Sequence, residues 1–245
     1  MPDSTIYNPY ISVDCVVFGF DGDKLKVLLI ERTINERNEL YNDKKLPGSI
    51  ILTDEDFDDA ASRVLNELTG LKNIYLSQFR SFGSPSRTKN PRDLLWLERT
   101  TQLKVSRIVT VAYTALIKID RKLVFNAEDA SANWYDVNEI SSMSLAFDHN
   151  QIIEKGLEHI RHQLDVEPHL LFELLPKKFT ISQLRILYDV VHQTRSDVRN
   201  FQKKVAQMPY LVMLEEVEDG VPHRAARLYK FDRKWKPPKP SKEFL

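Results

Sequence analysis

Between Asp56 and Gly70 the apolar residues Phe57, Ala60, Ala61, Val64, Leu65 and Leu68 recur at the three- and four-residue intervals of an α-helix. Such a stripe has to be buried against something, and the flanking segments supply strands for it. Residues 10–20 are rich in Val, Ile and Phe, Gly22-Asp23 offers a turn, and residues 25–31 alternate as a half-buried strand does, which predicts a hairpin. Thr53 is the expected N-cap, with Asp56 where a capping box carries Glu, and Gly70 is the expected stop. Residues 33–46 are polar, read as loop, and end in Leu46-Pro47-Gly48. Further strands are predicted over 74–82, 108–119 and 134–137, then a helix over 151–163 leading to a junction near Pro168.

Beyond that junction the pattern changes. Thr180 caps a predicted helix with Gln183 three residues on, and Leu184, Leu187, Tyr188 and Val191 face inward before it ends near Gln193. Thr194-Arg195-Ser196 forms a short turn, and Asp197 caps a second helix running to about Gln207. Residues 210–217 and 224–231 read as strands joined by Glu218-Asp219-Gly220-Val221. Helix, tight turn, helix and hairpin together make a winged helix-turn-helix. The fold class expected is therefore α/β (α+β) with a mixed sheet, followed by a winged helix. The domains expected are 1–165 and 166–233, with 234–245 a tail broken by Pro237, Pro238 and Pro240.

Charge supports two modules. Lys plus Arg and Asp plus Glu each number 35, so the chain is neutral as a whole. Residues 166–245, however, hold 15 basic against 10 acidic side chains, and residues 177–212 hold 7 against 2. Within the second predicted helix Arg199, Asn200, Lys203 and Lys204 fall within one and a half turns, while Phe201 and Val205 face the core. Arg and Asn read guanine and adenine edges in a major groove, and Lys serves phosphates. In the hairpin, His223, Arg224 and Arg227 are candidates for backbone phosphate. A lone charge run is usually a solvated face; the helix-turn-helix context favours double-stranded DNA.

Other classes are excluded by composition. The single cysteine, Cys15, rules out an intramolecular disulfide framework and a Cys-rich zinc site, and it reads as a small core residue. Seven glycines, none in a phosphate-loop pattern, leave no nucleotide-binding Gly-rich loop. No apolar run is long enough to span a membrane and no signal peptide is evident, so a cytoplasmic protein without a membrane partner is expected.

The order strand, Leu-Pro-Gly, loop, amphipathic helix and Gly resembles the Nudix family, whose box reads G-x5-E-x7-R-E-U-x-E-E-x-G-U with U aliphatic. With the last Gly on Gly70, Leu71, Leu65, Arg63 and Glu55 match without a gap, and Ser49 stands at the opening Gly. The catalytic cluster does not match: it reads Arg63-Val64-Leu65-Asn66-Glu67-Leu68, so Val64 and Leu68 replace two of three helix carboxylates. A hard dication needs several oxygens around it. The resemblance implies the fold without the hydrolysis, with no metal or cofactor and with Glu55 and Glu67 as residual carboxylates. The alternative is a divergent pyrophosphatase drawing its metal ligands from Asp58, Asp59 and Glu67.

A Nudix domain followed by a winged helix resembles the Nudix-related transcriptional regulators, repressors that bind palindromic DNA as homodimers. Residues 106–116, 145–149 (Leu-Ala-Phe-Asp-His), 197–204 and 224–229 carry this resemblance. It implies an effector-sensing Nudix domain, answering in one branch to a pentose, arabinose, and in another to ADP-ribose with control of NAD synthesis. The eroded box leads us to expect the arabinose branch, with the ADP-ribose branch as the alternative. Asp148 and His149 are the candidate polar contacts and Phe18 and Phe147 the candidate aromatic floor, although a satisfied structural histidine is an equal reading of His149. Residues 91–104 look like an insertion with Leu94, Leu95, Trp96 and Leu97 together. It is either a pocket cover, a dimer contact or a locally packed helix.

Overall fold

The structure, a computed structural model, describes residues 7–36, 39–102, 104–119, 131–220, 222 and 225–236. The chain divides into two compact units, one of residues 1–21 and 25–160, the other of residues 22–24 and 161–245.

The first unit is organised on one strand, β1 (Tyr7–Phe20). It runs parallel to β6 (Val109–Lys118) and antiparallel to both β2 (Leu25–Glu36) and β4 (Gly48–Leu52). The mixed sheet is completed by β3 (Glu39–Lys45) and β7 (Ser131–Asp136) on β2, and by β5 (Ser77–Phe82) on β6. Side chains alternate across a strand, so β1 serves two layers. Its odd residues Val13, Cys15 and Val17 pack with Ala60, Ala61, Val64 and Leu65 of α1 (Phe57–Thr69). On its even face, α3 (His149–Val166) brings Gly156 so close that an added Cβ would stand 3.4 Å from Val16 and Thr114. With both faces covered, every residue from Ser12 to Phe20 is buried.

Two local expectations change, and one left open is answered. Residues 33–46 are not a loop: β2 and β3 form a long antiparallel ribbon with Ile34 opposite Tyr41 and Glu36 opposite Glu39. Ladder hydrogen bonds satisfy the backbone whatever the side chains are, so this ribbon leaves no apolar alternation to read. The α1 cap is Asp56 rather than Thr53: its carboxylate accepts from Asp59 N at 2.9 Å, while Glu55 folds back to accept from Leu52 N at 2.7 Å. Gly70 closes the helix in the left-handed region, φ 72°, donating to Asn66 O. Residues 91–101 form a helix, α2 (Pro91–Thr101), capped by Asn90, and its Leu97 is buried with Ile50, Val105 and Ile108.

The second unit contains α4 (His169–Phe172), β8 (Phe179–Thr180), α5 (Ile181–His192), α6 (Val198–Ala206), β9 (Leu211–Val217) and β10 (Arg227–Phe231), with strand order β8-β10-β9. Thr180 and Gln183 form the capping box of α5, and Asp197 caps α6 through Asn200 N at 3.0 Å. The turn between the helices has no glycine; Gln193 takes the left-handed conformation instead, φ 51°. Asp189 fastens that turn, its carboxylate accepting from Ser196 N at 3.0 Å and Arg185 at 3.2 Å, and its carbonyl from Thr194 N at 2.9 Å. Phe172 stacks between Phe179 and Phe231 beneath the sheet. Residues 237–245 of the expected tail lie outside the described residues, and no described helix is long and apolar enough to cross a membrane.

The capping geometry gives a contrast that thermal unfolding checks. Asp56→Ala should lose about 1 kcal/mol by leaving the Asp59 N–H without its acceptor, while Thr53→Ala should stay within a few tenths.

Candidate functional site

The even face of β1 carries a charge into the interior. Asp14 is only 4% exposed, and its Oδ2 accepts from Arg87 at 3.2 Å. Its Oδ1 lies 3.5 Å from His149 Nε2, while His149 Nδ1 accepts from Leu46 N at 3.0 Å. Because Nδ1 accepts, the ring proton sits on Nε2 and points at the carboxylate. Arg87 also pairs with Asp148 at 3.1 Å and lies over the Phe147 ring, and buried Lys45 donates to Gly48 O at 2.6 Å. Burial alone would push the Asp14 carboxyl up; His149, Arg87 and Lys45 outweigh it and hold it well below the usual carboxylate range.

The corner that carries this cluster is strained and braced. Phe147 has φ 54°, a left-handed conformation for an aromatic residue, and its N donates at 3.0 Å to buried Asp93 of α2. Gly48 is demanded by close approach, since an added Cβ would stand 2.0 Å from Asp14 Oδ1 and 2.8 Å from Val13 O. Leu97 of α2 joins Ser12, Asp14, Arg87, Phe147 and His149 around a cleft of about 20 Å³. A small-molecule site needs roughly 300 Å³ or more, so the cleft as it stands holds no pentose.

The four expected effector residues thus separate. Phe147 and His149 line the cleft, Asp148 is committed to Arg87, and Phe18 is wholly buried away from it. Phe18 as an aromatic floor is corrected: it lies four residues beyond Asp14 on the even face, roughly 13 Å along the strand at 3.3 Å per residue. His149 is a satisfied buried histidine. Asp14, Lys45, Arg87 and Asp93 were missed, because Asp14 interrupts an apolar run by a single residue and Arg87 sits in a polar stretch without period.

The residual box carboxylates are occupied. Arg63 grips Glu55 with Nε and Nη2, at 2.8 and 2.5 Å, and reaches Glu67 at 3.0 Å. The Arg63 hydrogen bonds hold the Glu55 carboxyl below its usual range despite burial. Val64 is fully buried in the core, and Leu68 packs against it. Asp58 accepts from the Tyr113 hydroxyl at 2.6 Å. Among the described residues no three His, Cys, Asp or Glu side chains come together as metal ligands.

In the second unit Arg199, Asn200 and Lys203 are exposed on α6, with Phe201 and Val205 beneath them in the core. Lys204 turns aside: its ammonium lies 3.7 Å above the Tyr188 ring of α5 and donates to the Tyr188 hydroxyl. Arg227 is exposed at the start of β10 beside Met213. His223 and Arg224 lie outside the described residues.

The NUDIX domain family matches residues 9–156, well over half of the sequence. The chain belongs to the NUDIX family. Behind its NUDIX domain a second family, the NrtR DNA-binding winged helix domain, matches residues 171–231. A curated relative, the ADPR responsive transcriptional repressor NtrR of Acinetobacter baylyi, is 25% identical over 228 residues, 91% of this chain and 82% of the relative. Among solved structures, Shewanella oneidensis NrtR complexed with a 27mer DNA is similar at 26% identity with a TM-score of 0.64, over 90% of this chain and 93% of that one. A MutT/nudix family protein from Enterococcus faecalis is similar at 25% identity with a TM-score of 0.60, over 91% and 88% of the two chains. This NUDIX chain is thus a Nudix fold with a mixed sheet followed by a winged helix domain.

The buried network makes its own prediction. Arg87→Ala removes one partner of buried Asp14 and the ion-pair partner of half-buried Asp148, and should cost about 3 kcal/mol at neutral pH. Asp14 has a depressed folded-state pKa, so its contribution is present above the unfolded value and is lost as pH falls through the folded one. Without Arg87 that folded value rises, so in urea titrations the stability gap should be widest at neutral pH and narrow as pH falls through the variant's value toward the lower wild-type one.

Proposed function

We propose that this chain is a DNA-binding transcriptional regulator, of repressor type, whose Nudix domain binds an ADP-ribose-like nucleotide without hydrolysing it. The observation that carries the reading is the outward basic face of α6: Arg199, Asn200 and Lys203 stand free of the core on a helix capped by Asp197 and set after a braced helix-turn-helix. A helix of that length and charge suits the major groove. The winged-helix family match and the similarity to a repressor–DNA complex support it. A homodimer on a palindromic operator follows for a regulator of this architecture, with half-sites about one helical turn apart or a multiple of it.

The effector reading follows the relative rather than the eroded box. The curated relative with a named effector answers to ADP-ribose. The cleft does not discriminate between the two effectors, since at about 20 Å³ it has room for neither a pentose nor a nucleotide; the choice rests on the relative. Binding without turnover is supported by the clamp of Arg63 on Glu55 and Glu67 and by Val64 and Leu68 serving the core.

Operator DNA selected from a random pool provides the test, with affinity read by fluorescence anisotropy. Arg199→Ala and Lys203→Ala should each weaken binding at least tenfold, and Lys203→Ala should flatten the salt dependence by about one counterion. Wild-type affinity in both variants contradicts the DNA interface. In metal-free calorimetry ADP-ribose should bind and L-arabinose should not; the reverse would return the sugar branch.

A further inference from the structure

The α6 face described above leaves two residues unused. Val198 is the first residue of the helix and is 53% exposed, although it is apolar. Gln202 is one turn further on, exposed, and on the same flank, since residues four apart stack on a helix surface. Both line a groove of about 370 Å³ whose other walls are Ser182 and Arg185 of α5 and Ala226 and Arg227 at the start of β10. The flank is distinct from the Arg199–Lys203 face and from Lys204, which is spent on Tyr188. Val198 does nothing for the core, where Phe201 and Val205 fill the inward positions of α6.

A large apolar side chain at the leading end of a recognition helix, followed one turn later by a primary amide, is matched to one kind of base edge. In the major groove a Gln amide pairs bidentately with adenine N6 and N7, and an apolar group meets the C5-methyl of thymine. The groove is flanked by Arg185 and Arg227, cations at the two sides where a phosphate backbone would pass. Arg185 is itself held in place by Asp189 at 3.2 Å. The recognition helix thus carries two readouts side by side, with Arg199 and Asn200 suited to guanine and adenine, and this flank suited to adenine and thymine.

We infer that Val198 and Gln202 are specificity-determining residues that read an A·T pair and an adjacent thymine methyl in each half-site. The inference rests on the proposed DNA-binding function and deepens it.

The experiment uses the full-length protein and a randomised duplex pool, comparing the sequences enriched by wild type, Gln202→Ala and Val198→Ala. Gln202→Ala should lose its preference for adenine at one position per half-site, by roughly 5- to 150-fold, and keep the others. Replacing thymine by deoxyuridine at the adjacent position should weaken wild-type binding several-fold and leave Val198→Ala unaffected. If the variants enrich the same sequences as wild type, the inference is overturned. It is equally overturned if Gln202→Ala weakens all sequences alike, which would make the amide a backbone contact. If wild type itself enriches no sequence, the proposed function fails first. Both positions are exposed, and circular dichroism with an unchanged melting curve verifies that each variant is folded.

Discussion

A carboxylate buried inside the central strand sets the terms for the Nudix unit. Asp14 could have faced the apolar α1 layer only at prohibitive desolvation cost, so it lies on the opposite face of β1 with its compensating partners. Those partners come from three places: Arg87 from the segment after β5, Lys45 and Gly48 from the β3–β4 corner, and His149 from the first residue of α3. One anion thereby ties four parts of the chain, and the demand for glycine at position 48 follows from its reach. The strained backbone at Phe147 is held by the same neighbourhood, through Asp93 and the stacked guanidinium of Arg87.

That arrangement changes the meaning of the eroded Nudix box. In a hydrolase the helix after the Leu-Pro-Gly corner delivers carboxylates to a metal. Here the same helix delivers Val64 and Leu65 to the core, its Arg63 holds Glu67 and the preceding Glu55, and its Asp58 accepts from Tyr113. Polar chemistry has been retained on the other side of the sheet, at the start of α3, while the α1 side has become structural.

What was legible in the sequence was what is local. The α1 stripe, Gly70, the Thr180–Gln183 box and the Asp197 cap are settled within a few residues, and each stands where the pattern puts it. The β2–β3 ribbon is not legible in the sequence, because its pairing is a backbone ladder and its residues show no apolar alternation. The buried network escaped because its members are remote: Asp14 and Arg87 are 73 residues apart, Leu46 and His149 are 103 apart, and no pairwise spacing announces such a meeting. His149 is legible as a polar candidate, and only the structure shows its partners, Leu46 N and Asp14. Lys204, expected on DNA for its charge, is exposed and also lies over the Tyr188 ring one helix away, a contact its charge alone does not announce.

In the proposed regulator, nucleotide binding in the Nudix domain is coupled to DNA binding in the winged helix. Coupling between two sites is reciprocal, so a single titration reads it in both directions. Operator affinity should be measured against rising ADP-ribose without metal, with chromatography of the nucleotide afterwards. The account predicts a shift in DNA affinity of roughly 5- to 150-fold, the usual range for such coupling, with the ADP-ribose recovered intact. An unchanged DNA affinity at saturating nucleotide, or recovery of cleaved products, would contradict it.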